Sequence, residues 1–316
     1  MNVPRVATGV YFGFTYNGDG EAVASGLRVY RDEELADGLK FDGRSNILAV
    51  VDAIKQDAMF ADRVEWSSMA PLIEQASASA ESYENYKLYE KLLAALKDGH
   101  SSFRRPEDVR LAWDRTRASA AWEVREVGQF GYVKVPPVTG RAQSEGDGAS
   151  MKVAQQICAI SPRADGWMVD LRGNTGGNMW SMLAALSPLL GSGELGYFVG
   201  ADGSRRPWKL KDPMRCNGEL SPVAILIDAQ TASAGEMTAI AFLGRDNVRT
   251  FGETSAGRTT SISSRRLPDG AALQLVTAFT ENRGGVRYGN LVPDVETNSS
   301  DALRAAEQWL SGRARP

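Results

Sequence analysis

Apolar positions recur with two periods along the chain, and the change of period divides it. Near the start, Val10-Tyr11-Phe12 and Gly26-Leu27-Arg28-Val29-Tyr30 read as strands, with Asn17-Gly18-Asp19-Gly20 as turn residues between them. From about Ser45 the period becomes helical, placing Ile47, Val50, Val51 and Ile54 on one face. A second helical stretch runs from about Met69 to Ala78. A third sets Tyr89, Leu92, Leu93 and Leu96 at i, i+3, i+4 and i+7, and Lys97-Asp98-Gly99 predicts its end, a cation followed by glycine. Residues 1–103 are therefore expected to form a hairpin followed by a mostly helical bundle.

From about residue 120 the pattern alternates. Tyr132-Val133-Lys134-Val135 reads as a strand closed by Pro136-Pro137, and a Gly/Ser-rich loop, 140–150, leads to a helix carrying Val153, Ile157 and Ile160. Trp167-Met168-Val169 is a short apolar run of the buried-strand kind, ending in Asp170-Leu171-Arg172-Gly173-Asn174-Thr175-Gly176-Gly177. A helix from about Met179 to Leu190 follows. Val223 to Ile227 is a second buried strand, followed by Thr231-Ala232-Ser233-Ala234-Gly235-Glu236 and a helix to about Leu243. Val248–Phe251 and Ala272–Thr280 read as strands and Asp301–Leu310 as a final helix. Such alternation predicts an α/β core with cap-like insertions over residues 104–316.

Composition narrows the chemistry. The 36 basic and 39 acidic residues leave a formal net charge of −3, without the basic excess of a dedicated nucleic-acid binder. Two cysteines, Cys158 on a helix and Cys216 in a loop, exclude a disulfide-dense scaffold and a cysteine-rich zinc site, and nothing in their spacing requires them to pair. The single histidine, His100, excludes any site needing two imidazoles, so no metal centre is expected. No apolar run approaches the roughly 18 residues that cross a bilayer, and Gly9 and Gly13 interrupt the only candidate for a leader core. The chain as given is expected to be soluble, whether or not it is the processed form of an exported protein.

Three places could carry chemistry. Ser233 follows a buried strand and starts a helix, where free backbone N–H groups and the positive helix end support a nucleophile; equally, Ser233-x-x-Glu236 is the pattern of a capping box. His100, in the turn after a helix, is the one imidazole able to act as a base near neutral pH, although a lone histidine also fits a purely structural place. The loop from Gly173 to Gly177 offers N–H groups unshielded by side chains, or simply a tight turn.

Taken in order, Asp98-Gly99-His100-Ser101, Asp170 to Gly177, Thr231 to Glu236, Gly252-Glu253-Thr254-Ser255-Ala256-Gly257 and Leu291-Val292-Pro293-Asp294-Val295 form a set. It resembles the tail-specific, or C-terminal processing, serine peptidase family, in its tricorn-core and nisin-resistance-type branch. The match covers about residues 45–297. The resemblance implies an α/β fold with a crotonase-like ββα core and an activity that hydrolyses peptide bonds. By position, Ser233 matches the family nucleophile, and the N–H groups of Ala234 and of Gly177 or Gly176 match its oxyanion hole. Members with a Ser–Lys dyad place the lysine where Arg258 stands, 25 residues beyond Ser233; arginine cannot take a proton from serine, and no lysine follows Lys211. The other branch uses a histidine at the position of His100.

The third residue stays open: Gly99 precedes His100 where the tricorn pattern has serine, so Glu236, Glu281 or a plain Ser–His dyad are the alternatives. The stretch between Phe103 and Gly131 is too short for the PDZ domain that many members carry. The resemblance further implies a peptide or protein substrate cut near its C-terminal tail, no cofactor, and an extracytoplasmic location, periplasmic or secreted. Arg205-Arg206 and Arg265-Arg266 read as solvated faces, with a grip on a substrate's terminal carboxylate as the other use. Three other classes stay open from the residues alone: a non-catalytic module of the same fold binding a hydrophobic ligand, a hydrolase of a non-peptide acyl bond, and an α/β protein whose motifs are only caps and turns.

Overall fold

The computed structural model describes residues 43–78, 82–109, 121–138 and 148–313, together with the backbone of four short strands before residue 32. Those strands are β1 (Thr8–Tyr11), β2 (Phe14–Tyr16), β3 (Ala22–Ala24) and β4 (Arg28–Arg31), with β1 paired to β4 and β2 to β3 as nested hairpins. The predicted turn at Asn17 to Gly20 lies outside the described residues, as does most of the predicted loop at 140–150.

Helices α1 (Gly43–Asp57), α2 (Trp66–Ser77) and α3 (Tyr86–Ala95) follow the predicted periodicity. Ile47, Val50 and Ile54 of α1 meet Tyr89, Leu92 and Leu96, and the same buried cluster includes Leu267, Leu273 and Leu275 far along the chain. The end of α3 differs from expectation. Lys97 itself takes a left-handed φ of 51°, ahead of Gly99 at 66°. Arg63 makes this tolerable by donating to the orphaned carbonyls of Leu96 and Lys97 at 3.1 and 3.0 Å.

The rest of the chain runs β5 (Ser102–Arg104), β6 (Glu123–Val127), β7 (Phe130–Lys134), α4 (Gly148–Ile160), β8 (Trp167–Asp170), α5 (Met179–Ala185), α6 (Ser187–Leu190), β9 (Gly196–Val199) and β10 (Arg205–Pro207). It continues through β11 (Val223–Ile227), α7 (Ala234–Phe242), β12 (Val248–Gly252), β13 (Ser261–Arg266), β14 (Ala272–Asn282), β15 (Val295–Glu296) and α8 (Ala302–Ser311). The single helix predicted from Met179 to Leu190 is two, because Pro188 starts a new first turn and cannot extend the old one.

Two sheets organise these elements. The larger has the order β15-β12-β11-β8-β7-β6, parallel throughout except for β6 at one edge. Because the parallel strands follow one another in sequence order, right-handed crossovers put their connecting helices on the same face. Val133, Val169, Ile225 and Ile227 accordingly pack beneath α4 to α7. On the opposite face Tyr132, Met168, Leu226 and Phe251 are covered by Ala302, Ala306 and Leu310 of α8. The smaller sheet has the order β10-β9-β14-β13, with β5 also on β14, and carries the N-terminal helices. Cys158 on α4 and Cys216 in the loop before β11, left open by the sequence, are joined in a disulfide.

Candidate active site

In parallel α/β sheets the carboxyl ends of the strands are where loops gather functional groups. Here the loops after β8 and β11 meet at that end and are tied together. The Gly173 N–H donates to Asp228 at 3.0 Å, the Thr231 hydroxyl to the Leu171 carbonyl at 3.0 Å, and the Ala232 N–H to the Asn174 carbonyl at 2.9 Å. Asn174, fully buried, anchors the glycine loop by donating to the carbonyls of Val135 and Pro136.

Ser233 stands at the N-cap of α7 with φ 53° and ψ −121°. A helix N-cap is normally extended, and positive φ costs a non-glycine residue about 1–3 kcal/mol. The anticipated capping box of Ser233 and Glu236 is formed, with Glu236 Oε2 accepting from the Ser233 N–H at 2.8 Å. Glu236 does more than cap: it is fully buried, and it also accepts from the Ser255 hydroxyl and from the N–H groups of Gly257 and Arg258, both at 2.8 Å. Burial pushes its carboxyl above the ordinary value, with those four donors opposing.

The two glycines matched to an oxyanion hole differ in what their N–H groups meet. The Gly176 N–H is taken by Asn174 Oδ1 at 2.9 Å and so is not free for a ligand. Its role is steric: a Cβ there would lie 2.9 Å from that of Ser233 and 3.0 Å from the Ala234 nitrogen. Gly177, at φ 120°, packs so tightly against Val138 that a Cβ would stand 2.0 Å from its carbonyl oxygen. Among the described residues no acceptor takes the N–H of Gly177 or of Ala234. These two N–H groups are unbonded at the start of α7 and in the glycine loop beside it.

His100 is set by the turn after α3. Asp98 Oδ1 accepts from the N–H groups of His100 and Ser101 at 2.9 and 2.7 Å, and the Ser101 hydroxyl accepts from the Val276 N–H of β14 at 2.9 Å. The imidazole is half-buried, and its Nδ1 lies 2.8 Å from Thr260 Oγ1. Burial first, and the Arg258 guanidinium second, push its pKa down to about 4, with Asp98 opposing. Among the described residues no hydrogen bond joins His100 to Ser233 directly; what connects them is a chain of contacts. Ser233 and Arg258 share Glu236 Oε2 through their N–H groups, and Thr260, two residues beyond Arg258, meets the imidazole.

Both acidic candidates for orienting His100 are engaged elsewhere. Glu236 is committed to the loop and to Ser233, and Glu281 pairs with Arg205 at 3.0 Å and Arg287 at 3.2 Å. Arg265 pairs with Asp57 at 3.0 Å. The residues that sequence reasoning passed over are Asp228, Asn174 and Thr260. Asp228 carried a signal, since it accepts from the N–H of Thr231 three positions on, as an Asx turn after a buried strand does. Thr260 carried none.

Among the described residues no group of three or more His, Cys, Asp or Glu is arranged to hold a metal ion, and no helix is long and apolar enough to cross a membrane. The chain is 28% identical over 277 residues to the nisin-resistance protein of Lactococcus lactis subsp. lactis, an alignment covering 81% of this chain and 83% of that one. It is 29% identical over 141 residues to the carboxy-terminal processing protease CtpA of Bacillus subtilis strain 168, covering 44% of this chain and 30% of that protein. A lipoprotein structure from Streptococcus agalactiae superposes with a TM-score of 0.74 at 24% identity, over 87% of this chain and 98% of the other. The photosystem II D1 C-terminal processing protease does so with a TM-score of 0.60 at 14% identity, over 82% and 94%. The family profile itself spans residues 129–297, from the start of β7 to just past β15, so it takes in both stitched loops and the five parallel strands of the larger sheet, and by that match the chain belongs to peptidase family S41.

Proposed function

We propose that this peptidase works as a serine peptidase, with Ser233 as nucleophile and His100 as general base. The observation that carries the proposal is the conformation of Ser233. A residue that only caps a helix has no need of φ 53°, whereas a strained strand-to-helix turn lifts a nucleophile clear of its neighbours, here at the N-terminus of α7 and against the glycine loop at Gly176. His100 Nε2 takes the proton of Ser233 Oγ as that oxygen attacks the carbonyl carbon of a peptide bond. The oxyanion accepts hydrogen bonds from Gly177 and Ala234, each donor worth about 3–4 kcal/mol. The imidazolium returns the proton to the leaving nitrogen as the C–N bond breaks. Water, deprotonated by the same imidazole, then releases the acyl group and restores the Ser233 hydroxyl.

The β-strand pairs and helices around this turn support a crotonase-like reading of the core. The names of the CtpA and D1-processing relatives support a peptide or protein substrate cut near its C-terminal tail. The Cys158–Cys216 disulfide supports an oxidising, extracytoplasmic setting. The test compares wild type, Ser233→Ala and His100→Ala by proteome-wide cleavage mapping and by labelling with a fluorophosphonate. Both variants are expected to lose turnover by about three orders of magnitude or more, and Ser233→Ala to lose the label. Near-normal cleavage by Ser233→Ala, or a label on another residue, would overturn the assignment.

A further inference from the structure

We propose that Thr260 is the positioning residue of the His100 base, its hydroxyl oxygen accepting from the imidazole Nδ1–H and so leaving the lone pair on Nε2. The inference rests on the assignment of Ser233 and His100 above and adds the residue that the sequence left open.

A neutral imidazole carries one N–H, and its neighbour decides which nitrogen holds it. Nδ1 lies 2.8 Å from Thr260 Oγ1. Among the described residues no carboxylate is bonded to the ring. Asp98 is occupied by the N–H groups of His100 and Ser101 and by the Ser101 hydroxyl, Glu236 by Ser233 and the 255–258 loop, and Glu281 by two arginines. A positioning group must itself be immobile. Thr260 is: its neighbour Thr259 donates to the carbonyl of Gly289 at 2.8 Å and accepts through its own carbonyl from the Thr280 hydroxyl, and β13 begins at the next residue, Ser261. The turn carrying His100 is pinned to the same strand, β14, through Ser101 and Val276. Histidine and threonine, 160 residues apart in sequence, are thus held against one framework.

A hydroxyl in this place differs from a carboxylate in one respect that can be measured. It fixes the tautomer but supplies no charge to stabilise the imidazolium. The charged groups acting on the ring are Arg258, which opposes protonation, and Asp98, which favours it. A carboxylate placed at 260 would therefore make the base easier to protonate.

The test follows the rate of fluorophosphonate labelling of Ser233 between about pH 4 and 9 in the full chain. Thr260→Val, close in shape but unable to accept, is expected to slow labelling at neutral pH at least about tenfold. Thr260→Ser is expected to stay within about threefold of wild type, and Thr260→Asp to move the acidic limb upward by about one pH unit or more. Circular dichroism checks that each variant folds. Labelling of Thr260→Val at the wild-type rate, equal slowing in Thr260→Ser, or an unmoved acidic limb in Thr260→Asp would each overturn the inference while leaving the Ser233 assignment intact. A label found away from Ser233 in the wild type would instead sink the assignment on which it stands.

Discussion

At His100 two effects act in the same direction: burial disfavours the imidazolium, and Arg258 repels it, so the ring's pKa falls from 6.5 to about 4. The neutral form is the one that the proposed mechanism uses as base, and it persists at every pH above that value. Labelling of Ser233 is therefore expected to hold from neutral pH down to about 5 and to fall only toward 4, rather than to halve near 6.5. Stability carries the same sign. Between about 6.5 and 4 the unfolded chain binds a proton at this position that the folded chain refuses, so the fold loses stability as pH drops through that window and gains nothing further above it. Arg258→Gln should move the acidic limb part of the way back, since burial, the larger cause, remains; a limb unchanged by that substitution would show that Arg258 does not act on the ring. Much of this site was legible from residues: a chain with one histidine has one candidate imidazole, and a serine between a buried strand and a helix announces itself. Which glycine N–H is free was not legible, because it depends on Asn174 Oδ1 taking Gly176 and not Gly177. Thr260 was not legible either, since a hydroxyl-bearing residue is common and its partner lies 160 positions away.

At the scale of elements, the start of α7 is where strain and support meet. The positive φ of Ser233 is sustained by one buried carboxylate that grips four donors, two on each oxygen. Glu236→Gln turns one of those oxygens into an NH2 facing two donors, which leaves buried groups unsatisfied at about 1–3 kcal/mol each. The expected result is a lower melting temperature together with slower labelling of Ser233, because the turn relaxes. A lower melting temperature at unchanged labelling would mean that Glu236 supports the loop alone. Interior elements such as β8 and β11 were readable because burial on both faces forces continuous apolar runs. Three of the strands that escaped reading lie at sheet edges: β6 is Glu-Val-Arg-Glu-Val, β10 is Arg-Arg-Pro and β13 is Ser-Ile-Ser-Ser-Arg-Arg, all largely exposed. Charge and proline suit an edge that must not recruit another strand, and they erase the apolar pattern by which a strand is recognised.

At the scale of the molecule, the smaller sheet is built around β14, whose register places it against β13, β5 and β9, and long-range contacts such as Asn46 with Asp269, 223 positions apart, fasten the N-terminal helices to the turn before it. No local pattern encodes such pairings, because the partners lie far apart in sequence. The disulfide acts on the parallel sheet from its other end. Cys158 lies near the end of α4, which leads into β8, and Cys216 lies in the loop that leads into β11, so the link joins the approaches to the amino ends of the two strands whose carboxyl ends carry the site. It closes a separation of 58 residues, and a cross-link of that span stabilises by about 2–4 kcal/mol, chiefly by restricting the unfolded chain. Replacing both cysteines with serine is therefore expected to lower the denaturation midpoint while leaving the labelling rate of Ser233 at 25 °C within about twofold of wild type, since both states of the site are folded and only the unfolded chain gains freedom. An unchanged midpoint would mean that the link restricts nothing the fold does not already restrict. A slowed label at unchanged folding would mean that the amino ends of β8 and β11 set the spacing of the loops at their carboxyl ends, and the cross-link would then belong to the catalytic framework as well as to the stability of the fold.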